Sequence, residues 1–140
     1  MKQYVDLVLL IDDDRITNFY NTRIIEKHAS YRDVTAVKGG EAALAYLEEC
    51  HRNALPKPNL IFLDLNMPGM NGWEFLDAFE NMDPSITHGI KVILLSTSSD
   101  PEEVKRSMIF YHVNDYINKP LSEQMLDEVV DKHFRPTLAE

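Results

Sequence analysis

Unbroken runs of apolar residues recur along the chain, and two of them end directly in acidic side chains. Residues 60–63 are Leu-Ile-Phe-Leu and lead into Asp64, which a turn rich in Pro and Gly follows. Residues 7–11 lead in the same way into Asp12, Asp13 and Asp14. Short apolar runs without alternation are typical of strands buried on both faces of a parallel sheet. We therefore predict two central strands that end in carboxylates.

Three further strands and five amphipathic helices complete the predicted pattern. The other strands are predicted at residues 34–37, 92–95 and 115–118. Apolar residues at helical spacing follow each strand: Ile16, Phe19, Tyr20 and Ile24; Ala43, Tyr46, Leu47 and Cys50; Phe75, Leu76 and Phe79; Val104, Met108 and Tyr111; Met125, Leu126, Val129 and Val130. Five strands alternating with five helices predict an α/β fold with a doubly wound parallel sheet.

Composition narrows the class of protein. The 140 residues fit one domain, predicted to span 1–140 with its core at 7–134. A formal net charge of -9 argues against binding to nucleic acid, which clustered Lys and Arg would hold. No apolar run is long enough to span a membrane and no signal peptide is evident, so a cytoplasmic location is expected. Cys50 is the single cysteine, which excludes an internal disulfide.

The predicted topology brings polar residues from distant parts of the sequence together. Right-handed crossovers place the carboxyl ends of parallel strands at one edge of the sheet, where ligands bind in such folds. The residues expected at that edge are Asp12, Asp13, Asp64, Ser96 and Lys119. Two simpler roles stay open: Asp64 could only begin a turn, and Asp14 can cap the helix that follows it.

Three neighbouring carboxylates favour a divalent cation, because their mutual repulsion would otherwise raise their pKa values. Mg²⁺ takes oxygen ligands and commonly combines one or two carboxylates with phosphate oxygens. Asp13 and Asp64 are the predicted direct ligands. The backbone carbonyl of Asn66 is a candidate third ligand, and Asp12 would hold a metal-bound water.

Lys119 and Ser96 have no evident role beside bare carboxylates, but both suit a phosphoryl group. If Asp64 attacks phosphorus, Mg²⁺, Lys119 and Ser96 can neutralise the oxygens of the acyl phosphate. The alternatives are that Lys119 is a solvated surface lysine and that Ser96 is a turn hydroxyl. The position of Lys119, just after a strand and before a proline, favours the functional role.

Four motifs together resemble the receiver domain of bacterial two-component response regulators, and in particular its single-domain chemotaxis type. They are Leu-Leu-Ile-Asp-Asp-Asp at 9–14, Asp-Leu-Asn-Met-Pro-Gly-Met-Asn-Gly at 64–72, Leu-Leu-Ser-Thr at 94–97 and Asp-Tyr-Ile-Asn-Lys-Pro at 115–120. Departures are few: Thr97 stands where the family often has Ala, and Asn71 where it often has Asp. Asn66 and Ser98 occupy positions that influence how long the phosphoryl group persists in the family.

The resemblance implies a flavodoxin-like strand order of 2-1-3-4-5 and roles for individual residues. Asp64 would be the phospho-acceptor, Asp12 and Asp13 the acidic pair, Ser96 the switch hydroxyl and Lys119 the lysine that contacts the phosphoryl group. Tyr116 would be the aromatic switch, and the Lys119–Pro120 bond would be cis. For Tyr116 the alternative is a half-buried strand tyrosine that never moves.

A signal-transduction role in a phosphorelay follows from the resemblance. A histidine kinase or histidine phosphotransfer protein would donate the phosphoryl group, docking near the first helix. The predicted fourth helix, fifth strand and fifth helix would then change their surface and control an unknown partner protein. We expect no output domain, and a homodimer formed on phosphorylation stays open. Such a protein would catalyse only its own phosphorylation and dephosphorylation.

Two other functions are compatible with parts of the pattern. An Mg²⁺-dependent phosphohydrolase could pass through an aspartyl phosphate, but such enzymes usually carry an acid two residues after the nucleophile, where this chain has Asn66. A degenerate receiver that no longer accepts phosphate would be a pure interaction module. The intact set of Asp13, Asp64, Ser96 and Lys119 argues against that alternative.

Overall fold

The sheet has the predicted topology. A computed structural model describes residues 4–97 and 100–134. Within those ranges, five parallel strands lie in the order β2-β1-β3-β4-β5. The strands are β1 (Val5–Ile11), β2 (Tyr31–Val37), β3 (Leu60–Asp64), β4 (Lys91–Ser96) and β5 (Val113–Asn118). The prediction for β3 has the observed bounds, whereas the other four strands begin one to three residues earlier than predicted.

Six helices lie within the described part of the chain, one more than predicted. They are α1 (Arg15–Lys27), α2 (Gly40–Arg52), α3 (Gly72–Glu80), α4 (Pro84–Thr87), α5 (Pro101–Ser107) and α6 (Glu123–Val129), the last continuing as a π-helix (Val130–Phe134). The additional helix is the single turn α4, which lies between α3 and β4, where no helix was predicted. Asp83 caps it through the N–H of Ser85, and Ile86 is buried. No helix in the described ranges is long and apolar enough to cross a bilayer.

Two apolar cores cover the two faces of the sheet, as a doubly wound fold requires. One core contains Leu63, Phe75 and Phe79, and the other contains Phe62 and Leu126. Every residue of β3 is buried, so alternate side chains of that strand enter opposite cores. The strand is therefore held firmly on both faces, which fixes the position of its last residue.

Most of the predicted apolar stripe of α1 faces solvent, and only Ile24 of that stripe packs against a core. The helix begins after Asp14, which caps it as predicted, but Ile16 is 78% exposed and Phe19 is 66% exposed. The buried residues of α1 are Asn21 and Ile25 instead. Helical spacing predicted the helix correctly, but spacing alone does not show whether an apolar face packs on the core or stays free for a partner.

The helix α5 is shorter than its apolar spacing indicated. It ends at Ser107, with Met108 as its C-cap residue. The helical spacing predicted that Met108 and Tyr111 face the core, and this prediction was wrong, because they are 78% and 89% exposed. Beyond Ser107 the chain forms turns, so the helical periodicity no longer determines which side of the chain is buried. Ser98, which the resemblance associates with the lifetime of the phosphoryl group, lies outside the described residues.

Candidate functional site

Two buried carboxylates lie together at the carboxyl edge of the sheet. Asp64 is the last residue of β3 and is 6% exposed, and Asp12 follows β1 directly and is 4% exposed. The two strands are hydrogen-bonded neighbours, with Ile11 paired to Leu63. The parallel register therefore brings two acids into one place, although they are distant in sequence.

The side chain of Lys119 lies between these two acids. Its Nζ atom is 2.8 Å from Oδ2 of Asp12 and 3.2 Å from Oδ1 of Asp64. The lysine follows β5, and its backbone N–H donates to the carbonyl of Ser96 at 2.7 Å. The Lys119–Pro120 peptide bond is cis. The main chain of Lys119 is thus tied to β4 while its ammonium group joins the acids of β1 and β3.

The electrostatics of the site follow from this burial. Burial and the nearby Asp12 carboxylate raise the pKa of Asp64 above its usual range, although Lys119 acts in the opposite direction. Burial would lower the pKa of Lys119, but its hydrogen bonds and charge interactions with Asp12 and Asp64 raise it overall. A lysine that is charged at neutral pH therefore faces a carboxylate that is costly to ionise.

The three consecutive acids at 12–14 have different surroundings. Asp12 accepts a hydrogen bond from the backbone N–H of Asp14 at 2.9 Å, in addition to its contact with Lys119. Asp14 caps α1 by accepting from the N–H of Ile16 and from the hydroxyl of Thr17. Asp13 is exposed. The capping role predicted for Asp14 is confirmed, which leaves Asp12 and Asp13 to line the site.

The acidic cluster fits a divalent cation. Each of Asp12, Asp13 and Asp64 offers a carboxylate oxygen, and these three atoms all lie within 4.8 Å of one another. Such an all-oxygen set suits a hard cation, and the exposure of Asp13 leaves one side of the cluster open to water. The N–H of Asn66 donates to Oδ1 of Asp64 at 3.4 Å, which helps to orient the Asp64 carboxylate.

Ser96 and Tyr116 lie beside this site and share a hydrogen-bond partner, Glu103, that the sequence does not predict. Ser96 is fully buried at the end of β4, and its hydroxyl donates to Oε1 of Glu103 at 2.6 Å. The hydroxyl of Tyr116 donates to the same oxygen atom. From its sequence position, three residues after Asp100, Glu103 would be expected only to help cap α5. No sequence pattern could have found this role, because the contact joins residues of β4, α5 and β5.

An apolar groove borders the site on the side of α1. It is lined by Ile16 and Tyr20 of that helix, by Pro120 and Leu121, and by Lys119. The exposed stripe of α1 thus continues to the lysine that contacts the acids. An apolar surface beside a polar site is typical of a docking surface for another protein.

Comparison with known proteins gives a single consistent family. The family model described as the response regulator receiver domain matches residues 8–131. A crystal structure of a two-component response regulator from Cytophaga hutchinsonii has a TM-score of 0.84 and 37% identity, covering 93% of this chain and 97% of that one.

Two other similar proteins, Rcp1 and RcpA, have structures described as Mn²⁺-bound and as phosphorylated, respectively. Response regulator Rcp1 from Synechocystis is 30% identical over 81% of this chain and 76% of its own length. The structure of the Mn²⁺-bound form of Rcp1 has a TM-score of 0.74 at 26% identity, covering 94% of this chain and 96% of that one. The structure of the phosphorylated cyanobacterial phytochrome response regulator RcpA has a TM-score of 0.71 at 31% identity. The similarity covers 89% of this chain and 87% of that one.

Proposed function

We propose, from the premise that this chain belongs to the response regulator receiver domain family, that Asp64 accepts a phosphoryl group and so switches a protein-binding surface. The observation that carries the proposal is the contact of the buried Asp64 carboxylate with the Lys119 ammonium group, at 3.2 Å, inside an acidic cluster. The phosphorylated structure of RcpA supports the same chemistry in a relative.

The transfer is a displacement at phosphorus. A carboxylate oxygen of Asp64 forms a bond to phosphorus while the phosphorus–nitrogen bond of a phosphohistidine breaks, and the electron pair leaves with the histidine nitrogen. Lys119 stabilises the charge that accumulates on the phosphoryl oxygens, since its ammonium group already lies beside the acceptor. Hydrolysis later returns the carboxylate and releases inorganic phosphate.

The divalent ion proposed for the site is Mg²⁺. Asp13, Asp64 and the backbone carbonyl of Asn66 would be its direct ligands, and Asp12 would hold it through a water. When bound, Mg²⁺ would neutralise part of the negative charge brought together by the acids and the phosphoryl group. The Mn²⁺-bound form of Rcp1 supports a divalent ion in this family.

The output would be a change of surface. A phosphoryl group adds about 1.5 to 2 negative charges at the sheet edge. The hydroxyl of Ser96, one residue beyond the position that pairs with Asp64, is the nearest donor on β4 that could turn toward it. Tyr116 would follow and alter the surface formed by α5, β5 and α6, which would control a partner protein.

The donor would be a histidine kinase or a histidine phosphotransfer protein that docks on α1. The exposed apolar side chains of Ile16, Phe19 and Tyr20 support this assignment, because Ile16 and Tyr20 line the groove that Lys119 also lines. Such a position would bring a donor histidine to the open side of the acidic cluster. A homodimer formed on phosphorylation would use a different surface, that of α5, β5 and α6.

Labelling with a small phosphodonor tests the acceptor. Incubation with acetyl phosphate and Mg²⁺, followed by intact-mass spectrometry, is expected to show one added phosphoryl group. Asp64→Asn should abolish the addition, whereas Asp77→Asn, at an exposed position of α3, should not. Unchanged labelling of Asp64→Asn would move the acceptor elsewhere. Continuous turnover of simple phosphate esters would favour the phosphohydrolase alternative.

A further inference from the structure

One carboxylate oxygen connects the two proposed switch residues. Oε1 of Glu103 accepts the hydroxyl of Ser96 at 2.6 Å and also the hydroxyl of Tyr116. Glu103 lies in the first turn of α5 and is partly buried. Hydrogen bonds to a carboxylate are roughly twice as strong as those between neutral groups. The contact therefore links β4, α5 and β5 through a strong pair of bonds.

The contact restricts what Ser96 can do. A serine hydroxyl carries a single hydrogen and can donate one hydrogen bond. While that hydrogen points to Glu103, it cannot also point to an oxygen on Asp64. The backbone of Ser96 is held by the bond from the N–H of Lys119 to its carbonyl, so the change between the two partners is chiefly a rotation of the side chain.

We infer that Glu103 is a positioning residue that holds Ser96 and Tyr116 together in the unphosphorylated state and thereby opposes phosphorylation of Asp64. The inference rests on the proposed function and extends it, since it assigns the resting state to a particular contact. Phosphorylation must replace the bond between Ser96 and Glu103 with one between Ser96 and a phosphoryl oxygen. Because Tyr116 donates to the same oxygen of Glu103, withdrawal of Ser96 changes the surroundings of Tyr116 directly.

A matched pair of substitutions tests the role of Glu103. Glu103→Gln keeps the size of the side chain but removes its charge, and Glu102→Gln removes the same charge from the adjacent, exposed residue of the same helical turn. The probe is beryllofluoride with Mg²⁺, a mimic of the phosphoryl group, and its dissociation constant is measured by calorimetry. Glu103→Gln should bind it about fivefold more tightly, which corresponds to exchanging a charged for a neutral hydrogen-bond acceptor. Glu102→Gln should match the parent.

A second measurement separates the contact from a general effect on α5. Burial and the hydrogen bond to Glu103 raise the pKa of Tyr116. Titration of the Tyr116 phenol by NMR, assigned with Tyr116→Phe, should give a lower pKa in Glu103→Gln than in Glu102→Gln. Loss of helix stability alone would not produce that difference.

The outcomes are distinguishable from those for the proposed function. If the parent binds beryllofluoride and both Gln variants bind it equally, Glu103 has no positioning role and the inference is overturned, while Asp64 remains the acceptor. If the parent neither binds beryllofluoride nor accepts phosphate from acetyl phosphate, the proposed function fails and the inference fails with it. Tighter binding confined to Glu103→Gln, with the lower pKa of Tyr116, supports the inference.

Discussion

The ammonium nitrogen of Lys119 lies 2.8 Å from a carboxylate oxygen of Asp12, although 107 residues separate the two in sequence. The contact exists because β1 and the end of β5 both deliver side chains to the same edge of the sheet. Lys119 also lies 3.2 Å from Asp64. The ammonium group of Lys119 thus lies between the carboxylates of Asp12 and Asp64, which would otherwise repel each other.

Replacing the charged side chain of Lys119 should impair phosphorylation of Asp64. We expect Lys119→Met to accept phosphate from acetyl phosphate about 10²-fold more slowly, the typical cost of removing one group that stabilises developing negative charge. The rate is measured by intact-mass spectrometry over time. Lys57→Met is the matched control, since Lys57 also makes two hydrogen bonds, to the carbonyls of Ser85 and Ile86. Equal rates for the two variants would contradict a role for Lys119 in the transfer.

The acidic site should also be a source of instability at neutral pH. The pKa of Asp64 is raised by burial and by Asp12, so the folded protein favours the protonated form. That favourable contribution is complete below the pKa of the unfolded chain and is lost as pH rises through the higher folded value. Asp64→Asn should therefore unfold at a higher temperature than the parent at pH 7, by a few degrees for about 1 kcal/mol.

The pH dependence provides the check on that expectation. The difference in unfolding temperature should shrink as pH falls below about 3.9, the usual pKa of an aspartate in an unfolded chain, because Asp64 then becomes protonated in both states. Asp77→Asn, an exposed position, should stay close to the parent at both pH values. A stabilisation of Asp64→Asn that does not change with pH would have another origin.

The sheet and most of the site could be predicted because Asp12, Asp64 and Ser96 lie at the ends of strands whose apolar runs are buried. The apolar run of β3 predicted the position of Asp64, and parallel topology then predicted its neighbours. Lys119 is a weaker case, because it follows β5, which has no buried residue. Its placement depended on the parallel topology alone, which puts the end of β5 at the same edge.

The remaining features depend on which residues pack together, and periodicity does not contain that information. The stripe of Ile16 and Phe19 has the spacing of a core face but is exposed, because other residues of α1 contact the sheet. Glu103 has the sequence position of a helix cap, yet its carboxylate binds Ser96 and Tyr116 from two strands. Contacts among three elements arise only when the chain is folded.

Replacing Asp13 or Asp14, the two exposed acids after β1, should have different effects on how much Mg²⁺ raises the unfolding temperature. A ligand at about 100 times its dissociation constant stabilises a protein by about 2.7 kcal/mol. Asp13→Asn should leave the unfolding temperature without metal unchanged but lose most of the increase that Mg²⁺ produces. Asp14→Ala should unfold at a lower temperature without metal, because it loses a helix cap worth about 1 kcal/mol. It should keep the increase that Mg²⁺ produces, because the proposed ligands stay in place.

Thermal unfolding with and without Mg²⁺ separates the two variants. A normal Mg²⁺ shift in Asp13→Asn would remove Asp13 from the proposed ligand set. A lost shift in Asp14→Ala would show instead that the position of α1 controls the site. The two variants together thus distinguish metal binding from support of the fold.

The turn after β3 should tolerate very little change at Gly72. A Cβ atom there would lie 2.8 Å from the Cα of Leu65 and 3.0 Å from the carbonyl oxygen of Asp64, and both of these are backbone atoms. Gly72→Ala should therefore cost about 1–3 kcal/mol in the free energy of unfolding, since the backbone must move to make room. The same movement would displace Asp64, so labelling by acetyl phosphate should also slow. Gly39→Ala is the control, because a Cβ atom at Gly39 meets nothing within 4 Å. Urea denaturation and labelling of both variants measure the two effects, and a Gly72→Ala protein as stable and as readily labelled as Gly39→Ala would show that the turn does not hold Asp64 in place.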